Sequence, residues 1–166
     1  MRTLSVASYD QLRTLYRTLL VFATVGVLIL AVGLLEFVHF EPPGQTSGIK
    51  AHIVGVYLYD PSTGTTVGSD RTQFSRTDQI AAVVDWSSIP ANFIVDARWY
   101  DGFGDLVGHV GPGRPAELAP HTIVPIVVPP GLHHSLPGHY TFVVERFQGD
   151  TPVEVLGRRI ILVDRT

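Results

Sequence analysis

The chain has 166 residues, enough for one domain of ordinary size and an appendage. Its formal net charge of −3 gives no long-range field that would gather nucleic acid, so that class of partner is set aside. With no cysteine, disulfides, thiolate metal sites and a cysteine nucleophile are all excluded.

Residues 1–17 form a short tail with Arg2, Arg13 and Arg17. Within it, Ser5 to Tyr16 has a weak amphipathic pattern, with Leu4, Leu12, Leu15 and Tyr16 expected to face lipid. From Thr18 to Leu35 there is neither charge nor proline, and 12 of the residues are Leu, Val, Ile or Phe. Such a run spans about 27 Å as a helix and partitions into a bilayer by several kcal/mol. A single transmembrane helix is therefore expected over 18–40, with membrane lipid as its partner. Arginines precede it, while Glu36, His39 and Glu41 follow, which predicts an inner-membrane protein with its N-terminus inside. Two other readings fit less well. A cleaved signal peptide needs small residues where Glu36 to Phe40 are bulky, and a buried soluble helix normally keeps one polar stripe.

Ala23, Gly26 and Gly33 fall near one side of this helix and suit close approach by a partner helix; Gly and Ala are also simply common in membrane helices. Next, 41–48 has the Pro, Gly and Ser content of a linker.

From Ile49 onward the periodicity turns to alternation, with β-branched and aromatic residues between turn clusters. Seven strands are expected, at about 50–59, 79–86, 93–100, 106–110, 122–128, 140–147 and 153–163. Phe93, Val95, Ala97 and Trp99 alternate with Ile94, Asp96, Arg98 and Tyr100, making one face apolar and the other mixed. The expectation is a mainly β chain: a seven-stranded antiparallel sandwich over 49–166, outside the membrane.

Leu136 to Tyr140, leading into Thr141 to Val144, resembles the tyrosine corner of immunoglobulin and fibronectin type III domains. With Trp86, Trp99 and Tyr140 carrying the similarity, residues 49–163 resemble a bacterial extracytoplasmic domain of that kind. The resemblance implies a fold and a habit of binding or spacing rather than a chemistry.

Signatures of catalysis are missing. The chain has no paired-histidine metalloprotease helix, no serine elbow and no phosphate-cradling loop before a helix. No catalytic residue, cofactor or metal site is expected. The histidines at 109, 121, 133, 134 and 139 make copper or zinc conceivable, but neighbouring histidines on an extended chain point apart. Two carboxylates in the turn Asp101 to Asp105 are too few for calcium.

The segment from His121 to Gly131 is nearly uncharged and broken by prolines. It reads either as a core strand with proline-protected ends or as an apolar docking edge of Ile123, Val124, Ile126 and Val127. Three functions are weighed. The first is an accessory or structural subunit of a larger photosynthetic, respiratory or secretion assembly, contacting other subunits through helix and sandwich edge. The second is an independent module binding a ligand or envelope protein; the third is a periplasmic copper or zinc carrier.

Overall fold

Helix α1 runs unbroken from Val6 to His39 in the computed structural model, which describes residues 6–39, 46–128 and 132–165. It begins well before the expected span, so Val6 to Tyr16 and the apolar run are one helix, while Leu4 and Ser5 of the expected amphipathic segment lie outside the described residues. Leucine and alanine favour the helix, no proline interrupts it, and its many β-branched residues are accommodated at some cost in propensity. Thr18 and Thr24 donate their hydroxyls to the carbonyls of Thr14 and Leu20, at 3.0 and 2.9 Å. Their polar atoms are thus satisfied within the helix, as an apolar solvent requires. Gln11–Leu30 is long and apolar enough to cross a membrane, and none of it is buried.

The chain divides into two units, Met1–Glu41 and Pro42–Thr166. The second holds nine strands: β1 (His52–Asp60), β2 (Thr65–Val67), β3 (Gln73–Ser75), β4 (Ile80–Asp85), β5 (Ile94–Tyr100), β6 (Leu106–Gly113), β7 (His121–Pro125), β8 (Gly138–Gln148) and β9 (Thr151–Asp164). The sequence reading located seven of them and missed β2 and β3. Three residues are too few to show a period of two. One sheet has the order β2-β1-β4-β7 and the other β3-β9-β8-β5-β6. The expected all-antiparallel arrangement fails at one place, where β3 lies parallel to the end of β9.

One buried cluster joins the two sheets: Val56, Ala82, Val84 and Val124 from the first, and Val95, Trp99, Phe142, Val144, Leu156 and Ile161 from the second. The alternation in β5 places Val95, Ala97 and Trp99 in this core, as its sequence pattern predicts. Trp99 is fully buried, lies 4.9 Å from the Phe142 ring and donates its indole N–H to the Val124 carbonyl of the opposite sheet at 2.8 Å. Trp86 donates to the Thr122 hydroxyl at 2.7 Å, and Tyr140 donates to the Leu136 carbonyl at 2.9 Å. The predicted corner contact is therefore made.

The expected linker over 41–48 ends sooner than its composition suggests. Ser47 donates from its backbone N–H and its hydroxyl to Glu154 Oε1 at 2.6 and 2.8 Å. Glu154 is buried and paired with Arg146 at 2.9 Å, so the chain is clamped where it enters the β unit. Residues 41–45 of that linker, and Phe40 of the expected span, lie outside the described residues.

Candidate functional site

The two sheets present outer faces of opposite chemistry. On the β1-β4-β7 face, register places Tyr57 beside Ala81, Ala81 beside Pro125, and Val83 beside Ile123. Ala81 and Val83 are buried yet stand outside the inter-sheet core. Tyr57, Tyr59, Ile123 and Pro125 are half-buried around them. Small residues in the central strand lie between larger flanking ones, and the row ends at Asp85, set between His52 and His121 in the register.

On the opposite face, Asp96 is fully buried and Glu145 nearly so, side by side across β5 and β8. Arg98 donates from Nε to Asp96 Oδ2 at 2.7 Å and lies 3.7 Å from Glu145 Oε2. Its guanidinium also stacks 4.6 Å above the Phe147 ring. Tyr100 donates its hydroxyl to Glu145 at 3.5 Å, and His109 Nδ1 lies 3.6 Å from Asp96 Oδ1. Burial pushes the Glu145 carboxyl up from its ordinary range, with Arg98 opposing and Asp96 adding to the rise. Sequence alternation marked this face only as mixed. Burial of its carboxylates follows from the long Arg98 side chain lying over them, which no periodicity reveals.

The four apolar residues of the expected docking edge do not act together. Val124 is fully buried and Ile126 almost so, which makes both core residues; Ile123 is half-buried on the outer face and Val127 is exposed. Strand β7 does lie at the edge of its sheet, but the chain beyond it crosses between sheets. Ile126 N–H donates to Ile80 O at 2.9 Å and Val127 N–H to Val107 O at 2.6 Å. Gly108 permits this approach, because a Cβ there would strike the Pro125 carbonyl. The apolar surface is consequently a sheet face rather than a strand edge.

Along α1, Ala23 is exposed, Gly26 is half-buried and a Cβ at Gly26 would meet nothing. Gly33 lies in the helix beyond the residues whose surroundings are described. His121, His133, His134 and His139 are exposed, and among the described residues no three His, Asp or Glu side chains are grouped to hold a metal ion. Phe103, at the tip of the β5–β6 hairpin, is 85% exposed.

No family model matches the chain, and no curated protein matches it. Among solved structures it is similar to an immunoglobulin-like protein from Pseudomonas aeruginosa, at 12% identity over 69% of this chain and 94% of that one, with a TM-score of 0.34. The resemblance is at the level of fold.

Proposed function

We propose that this chain is a non-catalytic, single-pass subunit of a larger membrane protein complex. In this reading α1 spans the inner membrane with its N-terminus inside, and the β unit is an extracytoplasmic sandwich of the immunoglobulin type that braces the outer face of the assembly. The carrying observation is the contrast between the two outer faces. One is sealed by Arg98 over paired carboxylates, whereas the other carries half-buried Tyr57, Tyr59, Ile123 and Pro125 without a charge among them. An apolar row only partly covered by its own chain suits contact with another subunit. Ala23, Gly26 and Gly33 provide a second contact, at which another helix approaches closely.

Purification in mild detergent followed by native sizing tests this. The intact chain is expected to migrate with other membrane subunits, and Ile123→Asp to release it while the fold persists. An intact chain that migrates alone would remove the proposal. That outcome favours an independent binding module, for which the highly exposed Phe103 at a hairpin tip would be the anchoring side chain.

A further inference from the structure

Helix α1 is longer than a bilayer is thick. Its 34 residues span about 51 Å, against a hydrocarbon core of about 30 Å, so roughly 20 Å of helix must lie in or beyond the headgroups. The uncharged run begins at Thr18, which assigns the helical turns around Arg13 and Arg17 to the headgroup layer on the N-terminal side. Because the helix is continuous there, the two arginines are held one turn apart on one side, about 40° from each other around the axis. Both are exposed. The centre of the Ala23, Gly26 and Gly33 side lies roughly 150° away around the same axis. A partner helix seated on the small residues would therefore leave Arg13 and Arg17 turned toward lipid.

Resting on the membrane-anchor reading, we infer that Arg13 and Arg17 form a contact site for the phosphate headgroups of anionic phospholipids. The guanidinium fork matches a phosphate diester through two parallel N–H donations, and two forks one turn apart can hold neighbouring headgroups. Leu12, Leu15 and Tyr16 lie roughly 130° from the arginines around the axis, on the same side as the small residues, and leave the charged side to the headgroups. Each arginine near an anionic surface favours such contact by roughly fivefold. The long side chains keep their charge at the headgroup level while their stems stay in the apolar layer.

The full chain is reconstituted into vesicles of equimolar phosphatidylcholine and phosphatidylglycerol, floated on a density gradient and re-extracted in mild detergent. The lipid retained with the protein is then quantified by mass spectrometry. Phosphatidylglycerol is expected to exceed its bulk share several-fold, and the double variant R13Q/R17Q to return retention to the bulk ratio while still floating. Retention at the bulk ratio by the unaltered, floating chain would overturn the inference and leave the anchor intact, as would undiminished enrichment in R13Q/R17Q. A chain that fails to float overturns the anchor reading and this inference with it.

Discussion

Replacing Trp99 with Phe probes the junction between the sheets more directly than any other single change. The substitution removes the indole N–H that satisfies the Val124 carbonyl at 2.8 Å, in a core where Trp99 and Val124 are both fully buried. Register with Ala82 leaves that carbonyl its ladder partner, so the lost indole donation costs about 0.5–1.5 kcal/mol. The lost ring volume beside Phe142 adds about 1–2 kcal/mol, since the surrounding strands relax only in part. The total is about 1.5–3.5 kcal/mol. Trp86→Phe is the internal control, for it loses a similar volume and a hydrogen bond of similar length. Its acceptor, however, is the Thr122 hydroxyl, which still donates to Ala119 O at 2.8 Å, so no buried group is stranded. That variant should lose only about 1–2 kcal/mol. Urea unfolding of the detergent-solubilised chain, followed by near-ultraviolet circular dichroism, measures both. Trp99→Phe should shift the midpoint by about 1–2 M and by more than Trp86→Phe. Equal losses, or a larger one at Trp86, would refute the assignment of Trp99 as the inter-sheet bond.

Tyr140→Phe removes the donation to Leu136 O and should lower stability by about 1 kcal/mol in the same unfolding measurement. Gly111 has φ of +128°, and a Cβ there would stand 2.7 Å from Val95 O; Gly111→Ala should therefore cost clearly more than Gly104→Ala, whose φ of +88° faces open space. The Glu145 carboxyl is raised by burial, so the folded state holds its proton more tightly than the unfolded chain. Stability from this group is present below its ordinary value of 4.5 and is lost as pH rises through the higher folded value. Glu145→Gln should flatten that part of the stability–pH curve and leave stability unchanged or higher at neutral pH, as read by urea midpoints across a pH series.

The parts of the fold legible in the sequence were those with a period long enough to count. β5 announced its core face through Val95, Ala97 and Trp99, and Leu136 to Tyr140 announced the corner. β2 and β3 were not legible, because their three residues acquire strand geometry from β1 and β9 rather than from a pattern of their own. The apolar segment after His121 was marked as unusual but left open between a core strand with proline-protected ends and a docking edge. Alternation puts Val124 in the core and Ile123 on the outer face, while the crossing of Ile126 and Val127 between sheets depends on Ile80 and Val107, distant in sequence. The clamp of Ser47 on Glu154 was hidden for the same reason: a serine in a Pro- and Gly-rich stretch looks like solvent-exposed linker until its partner 107 residues away is known.

The central claim is that α1 is retained in the membrane and holds the β unit on the far side. Because the chain contains no cysteine, a single introduced thiol reports topology without background. With Ser62→Cys in the exposed β1–β2 turn and Ser8→Cys before the span, a membrane-impermeant maleimide is applied to cells stripped of their outer permeability barrier, and the membranes are then washed at alkaline pH. The account predicts that Ser62→Cys is labelled, Ser8→Cys is protected until lysis, and both chains stay in the washed membranes at full length. Labelling of Ser8→Cys alone, or a chain released by the wash with its N-terminus cut beyond α1, would contradict it.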